Sequence, residues 1–166
     1  NRLEDINVLK AAIAAHPQGA KAPYYLGCLY YDKRQYDEAK TYWEQSEQLD
    51  PFFPTVHRNL ALLYFNKEAD PQRALQEMEL AFNLNQMDAR IFMELDQLYK
   101  KLQRPHAERL LNFEAFPRLV AQRDDLILEH ATLLNLLGRY KEAKTIIDQH
   151  VFHPWEGGEG KVSGQY

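Results

Sequence analysis

Cysteine is almost missing from this chain: Cys28 is the only one. An internal disulfide is thereby excluded, together with any zinc site built from several thiolates, and a cytoplasmic location is expected. Cys28 falls in an apolar stretch with no neighbouring histidine or basic residue to activate it, so a partly buried small side chain is expected rather than a nucleophile. Long apolar runs are missing as well. No stretch approaches the roughly 20 residues needed to span a bilayer, and no secretion segment is visible. Charge of one sign is scarce: the formal net charge is -4, and basic residues are interspersed with acidic ones. Nucleic-acid binding, which relies on concentrated positive charge to release counterions, is not expected.

Motifs for catalysis and cofactors are equally thin. A phosphate loop needs Gly, four residues, Gly, Lys and Ser or Thr, and around Gly160-Lys161 that order is broken by Trp155 and Val162. Asp124-Asp125 is an acidic pair with no second partner for acid–base work, and it stands where an aspartate would cap a helix beginning near Leu126. Six histidines are present, His16, His57, His106, His130, His150 and His153. His150 and His153 lie closest together, but Phe152 and Pro154 interrupt them and no close Asp, Glu or Cys completes a site. No catalytic residue, metal or cofactor is expected, and the chain is not expected to be an enzyme.

What is present is helical periodicity. Apolar residues make up 45% and charged residues 27% of 166 residues, with ten tyrosines and eight phenylalanines for packing between helices; disorder is not expected over most of the length. Leu3, Ile6, Leu9, Ala12 and Ile13 form one stripe of a first helix, and because the chain begins inside it, a piece of a longer protein is expected. The stretch 20–53 then gives two helices, about Ala22–Tyr31 and Tyr36–Leu49, joined by the polar turn Asp32-Lys33-Arg34-Gln35. Leu26, Gly27 and Tyr30 share one side of the first, and Ala39, Trp43 and Ser46 one side of the second, with Pro51 beyond its end. Gly27 costs about 1 kcal/mol of helix stability relative to alanine, so close approach by the paired helix is the expected return, with Ala39 as the matching surface.

The spacing recurs. Pro17 to Pro51, Leu26 to Leu60 and Tyr30 to Tyr64 are each 34 residues apart, and Ala39 to Ala74 is 35. The extra residue belongs to the turn 66–71, where Asp70 is expected to cap the next helix and Pro71 to occupy its first turn. In a third unit Leu95, Asp96 and Tyr99 take the Leu, Gly and Tyr places, Pro105–Leu111 opens the second helix, and Ala107 falls near the small position. Residues 112–123 read as an irregular or short-helical link broken by Pro117. A fourth pair runs over Leu126–Leu137 and Tyr140–His150, for about nine helices in all.

These positions resemble the tetratricopeptide repeat, a helix pair of 34 residues with large, Leu, Gly, Tyr, Ala, aromatic, small and Pro positions. The resemblance implies an all-α fold, a right-handed superhelical solenoid of antiparallel helix pairs over residues 1–150, with first helices lining a concave groove. Residues 151–166, rich in glycine and aromatics, are expected to be a docking segment or a connection, with the start of a further helix at Lys161–Tyr166. Groove positions by registration are Lys21, Tyr24, Cys28 and Tyr31; then Thr55, Arg58, Leu62 and Phe65; then Arg90, Met93, Gln97 and Lys100. Partner binding is expected at Lys21, Tyr24, Tyr31, Thr55, Arg58, Phe65, Arg90, Met93, Gln97 and Lys100, with arginines for carboxylates and tyrosines for rigid contact area. The bland counterpart is that the aromatics pack and the basic residues are solvated. Some members hold a C-terminal carboxylate with Lys and Asn. Here Tyr24, Tyr25, Cys28, Arg58, Asn59 and Leu62 stand in that neighbourhood and no such clamp matches.

Longer strings, PTVHRNLALLYFNKEADPQRALQEMELAF at 54–82, DARIFMELDQLYKKL at 88–102, QRDDLILEHATLLNLLGRYKEAKTII at 122–147 and FHPWEGGEGKVSGQY at 152–166, resemble the C-terminal repeat region of large bacterial proteins. Those proteins also carry a domain of unknown function, often near carbohydrate-utilisation proteins. The resemblance implies a non-catalytic scaffold that binds a peptide, a partner protein or missing domains of the same polypeptide, with an indirect carbohydrate association. The alternative it leaves is an accessory region of a carbohydrate-active or sugar-binding protein, with Trp155 and surface tyrosines stacking on sugar rings.

Overall fold

The computed structural model describes residues 2–153, and every element in that span is helical. Ten helices follow in order: α1 (Arg2–Ala15), α2 (Lys21–Asp32), α3 (Tyr36–Leu49), α4 (Pro54–Asn66), α5 (Pro71–Leu84), α6 (Ala89–Lys101), α7 (His106–Ala115), α8 (Pro117–Val120), α9 (Asp124–Leu136) and α10 (Tyr140–Gln149). They gather into two compact units, Asn1–Gln86 and Met87–Tyr166. No helix in the described span is long and apolar enough to cross a membrane. Of the expected tail over 151–166, residues 154–166 lie outside the described residues.

The turn inside each pair is one device used four times. One residue takes a left-handed backbone, Arg34 (φ 61°), Ala69 (φ 53°), Gln103 (φ 56°) and Gly138 (φ 78°). The next N–H then donates back to the last turn of the preceding helix: Gln35 to the Tyr30 carbonyl, Asp70 to Tyr64, Arg104 to Tyr99 and Arg139 to Leu134, at 2.8–3.0 Å. This closes the helix end and reverses the chain. Asp70 and Asp88 then cap the helices that follow them, accepting from the N–H groups of Arg73 and of Arg90 and Ile91.

In the first unit the core runs through Leu26, Trp43, Val56, Leu60, Leu63, Tyr64 and Met78, all at most 3% exposed. Gly27 does make room for the paired helix, but the surface it meets is Trp43. A β-carbon at Gly27 would stand 2.6 Å from Trp43 Nε1. The indole, seated there, donates to the Tyr24 carbonyl at 3.2 Å, and Ser46 Oγ donates to the Ala20 carbonyl at 2.7 Å. The aromatic and small positions of the repeat thus also tie α3 to α2 by hydrogen bonds.

The second unit departs from the sequence expectation in three places. Helix α7 continues past Leu111 to Ala115 because Phe113, fully buried, packs on Phe92 at 5.3 Å and near His130 at 5.8 Å. Pro117 ends it and starts the four-residue α8, the short-helical link expected there, and the helix number rises above nine. Third, Ala107 is exposed and is not the small packing residue. The fourth position of each second helix is Ala39, Ala74, Arg109 and Ala143, and Arg109 is 2% exposed. Its guanidinium donates twice to Asp96, at 2.8 and 2.7 Å, and once to Glu129 at 2.6 Å. Asp96 occupies the glycine place of α6, so a buried, bidentate ion pair stands where the first pair has close contact. The backbones of α6 and α7 accordingly stay farther apart than those of α2 and α3.

Candidate functional site

Two neighbouring first helices of the first unit frame an open pocket of about 220 Å³, with lining side chains at i, i+3 and i+4 on one and at i, i+1 and i+4 on the other. Helix α2 contributes Cys28, Tyr31 and Asp32, helix α4 contributes Arg58, Asn59 and Leu62, and Trp43 of α3 reaches it from below. Its apolar wall is Leu62, Tyr31 and the Trp43 indole, with ring centroids of the last two 5.3 Å apart. Its polar edge is ordered. Arg58 Nη1 donates to Asn59 Oδ1 at 3.2 Å, and Asn59 Nδ2 points at Cys28 Sγ at 3.7 Å.

Burial pushes the Cys28 thiol up, so it stands in the wall as a neutral thiol. Burial likewise raises Tyr24 to about 12, with the neighbouring Cys28 adding to the shift. The charges at the pocket are therefore the Arg58 guanidinium and the Asp32 carboxylate, at opposite helices. Such an arrangement suits a side chain with an apolar body and a charged or amide neighbour.

The ten candidate residues fare differently. Tyr31 and Arg58 meet in the pocket. Lys21 is exposed at the first position of α2, and Thr55 and Phe65 are half-buried on α4. Tyr24 leans on Tyr25 and Phe53, with centroids at 5.1 and 4.9 Å. In the second unit Arg90 donates to Glu94 at 3.1 Å and Lys100 to Glu129 at 2.9 and 3.0 Å, which occupies both cations with intramolecular carboxylates. Met93 is half-buried and Gln97 exposed. Trp43 and Asp32 escaped the sequence reading, the first because its position in the repeat reads as core alone, the second because it looked like turn.

Two histidine clusters also differ from expectation. Asp124 does not cap α9; the residue at the cap is Arg123, with no side-chain bond, and Asp125 takes the Leu126 N–H. Asp124 instead accepts from His150 Nε2 at 2.8 Å and from the His153 backbone N–H at 2.6 Å. A carboxylate does therefore stand beside both histidines, supplied from far upstream in the sequence. Those bonds hold its carboxyl below the usual range, the His153 N–H most of all.

The second cluster joins α3, α4 and α5. His57, 1% exposed, places Nδ1 2.8 Å from Glu77 Oε2 and 3.5 Å from Glu47 Oε1, while Nε2 lies 2.8 Å from the Pro51 carbonyl. Three donor atoms, one each from Glu47, His57 and Glu77, lie within 4.8 Å of one another. Sequence spacing could not reveal this set, because its members sit on three different helices.

Comparison with known proteins fits this geometry. Residues 20–53 match the tetratricopeptide repeat family. Solved structures that the chain resembles include Pseudomonas aeruginosa PilF, with a TM-score of 0.69 at 21% identity over 84% of this chain. This chain spans 63% of the PilF chain. YrrB, a tetratricopeptide protein with an unusual peptide-binding site, gives a TM-score of 0.72 at 16% identity over 95% of this chain and 74% of its own. MamA gives 0.69 at 17% over 96% and 85%. At these identities the likeness is one of fold, and the fold is a tetratricopeptide-type helical repeat.

Proposed function

We propose that the chain is a non-catalytic interaction module that seats an extended peptide, or an exposed segment of a partner protein or of a further domain of the same polypeptide, on the first helices of its pairs. The observation that carries this is the pocket between α2 and α4, where Tyr31, Leu62 and Trp43 supply apolar wall and Arg58 with Asn59 an oriented polar edge. Helical repeats of this kind commonly present such surfaces to proteins and peptides, and YrrB, similar in fold, has a peptide-binding site. A bulky apolar side chain of the partner fills the pocket, and a neighbouring carboxylate reaches Arg58. Lys21, Tyr24, Thr55 and Phe65 extend the surface along α2 and α4. Arg90, Met93, Gln97 and Lys100 form a separate contact face on α6, where partner carboxylates must compete with Glu94 and Glu129.

The test is selection of binders from a random peptide library on the purified chain, followed by anisotropy titration of labelled winners. Tyr31→Ala and Arg58→Ala should each weaken them at least tenfold, with selected sequences sharing an apolar residue next to an acidic one. Winners that bind both variants as tightly as the original chain would remove the pocket from the function.

A further inference from the structure

Away from the pocket, on the other side of α4, we propose that Glu47, His57 and Glu77 form a binding site for one divalent transition cation, Zn2+ foremost. Each helix brings one donor: Glu47 from the C-terminal half of α3, His57 from the second turn of α4 and Glu77 from the middle of α5. The set is one imidazole nitrogen and two carboxylate oxygens, the mixed N/O chemistry that zinc accepts with three protein ligands and a water in the fourth place. Donors about 2.0–2.2 Å from a tetrahedral ion stand about 3.3–3.6 Å from each other. Nδ1 of His57 already lies 2.8 and 3.5 Å from its two carboxylate neighbours, and all three donors fall within 4.8 Å. Small side-chain rotations close the sphere.

Two further features support a cation there. The Pro51 carbonyl takes the Nε2–H at 2.8 Å, which fixes the imidazole with Nδ1 aimed between the carboxylates, as an outer partner does for a metal-bound histidine. The carboxylates also outnumber the charge between them. Burial and then the facing Glu77 push the Glu47 carboxyl up, a cost that a second positive charge in place of one proton would relieve. Of the other charged groups nearby, Glu44 adds to the negative field. Arg73 offsets it from a distance, its guanidinium held on the Tyr64 hydroxyl at 2.8 Å and 3.8 Å from Glu44. The side chains of Glu47 and Glu77 remain 28% and 17% exposed, leaving the fourth position open to water.

In the free chain the Nδ1 proton occupies the place of the ion. Binding exchanges it: the divalent cation enters, the Nδ1–H bond breaks, and one proton leaves to solvent. Affinity therefore falls as pH drops. The seated ion ties three consecutive helices together, a structural clasp rather than a reaction centre.

The experiment is calorimetric titration of the chelator-treated 166-residue chain with ZnCl2 in buffers of different ionisation enthalpy, repeated with Co2+ to read its visible absorption. One equivalent should bind with release of about one proton below neutrality, and the midpoint of thermal unfolding should rise with Zn2+. Glu47→Gln and Glu77→Gln should each lower the affinity at least tenfold and abolish the Co2+ band, while His106→Gln, at an exposed histidine on α7, should leave both unchanged. Glu47→Gln, whose side chain is partly exposed, keeps the test valid if His57→Gln fails to fold. No binding at millimolar Zn2+, or binding that neither carboxylate variant weakens, overturns the site.

Discussion

At Gly27 a hydrogen stands where any other residue would press a carbon into the Trp43 indole. Alanine would gain about 1 kcal/mol in helix propensity, but overpacking a buried ring costs about 1–3 kcal/mol and this ring is also hydrogen-bonded. Gly27→Ala should therefore destabilise the chain by a net amount of up to about 2 kcal/mol, measured by urea unfolding followed through tryptophan fluorescence. His57 sets a different balance. Burial, the largest influence, opposes its charge, but the bonds to Glu77 and Pro51 and the fields of Glu77 and Glu47 outweigh it and hold its pKa above the usual value. A raised pKa means that the folded state binds the proton more tightly. The resulting stability is complete below pH 6.5, above the carboxylate range, and is lost as pH climbs through the folded-state value. With chelator present, the stability gap between the original chain and His57→Gln should shrink across that rise.

Among the elements, α6 and α7 are joined differently from α2 and α3. Gly27 lets the Trp43 indole of α3 seat against α2, whereas Asp96 at the glycine place of α6 and Arg109 at the fourth position of α7 hold that pair at a distance through paired hydrogen bonds. Arg109→Met leaves the Asp96 carboxylate buried without its partner and should cost roughly 3–5 kcal/mol, whereas Asp96→Leu with Arg109→Met should recover most of that loss. Chemical denaturation of the single and double variants checks both. The turns make a second prediction. A left-handed backbone costs a residue with a β-carbon about 1–2 kcal/mol, part of which glycine returns as unfolded-chain entropy. Ala69→Gly and Gln103→Gly should each stabilise by about 0.5–1 kcal/mol and add nearly independently, and Gly138→Ala should do the reverse, as read from unfolding midpoints. Asp124 anchors the segment after α10, so Asp124→Ala should speed hydrogen exchange at the His153 amide with little change elsewhere.

Over the whole molecule, the helix pairs were legible because their signals are local and repeated. The Leu, Gly, Tyr and Ala places recur at 34 or 35 residues, and the Asp70 cap and Pro71 start were visible in the letters alone. Legibility failed where one residue substitutes a different physics for the same place. Arg109 hides a packing position because an arginine reads as surface until its buried carboxylate is known. Asp124 reads as a cap because the histidines it serves are 26 and 29 residues away. The site divided along the same line. Tyr31 and Arg58 followed from helix registration, whereas Trp43 and the Glu47, His57 and Glu77 set needed three-dimensional proximity. Cys28 is the only thiol in the chain and stands in the pocket wall. Its rate of alkylation by a small electrophile is thus a native clock on occupancy: a seated peptide should slow it in proportion to the fraction bound, with no label attached to either molecule.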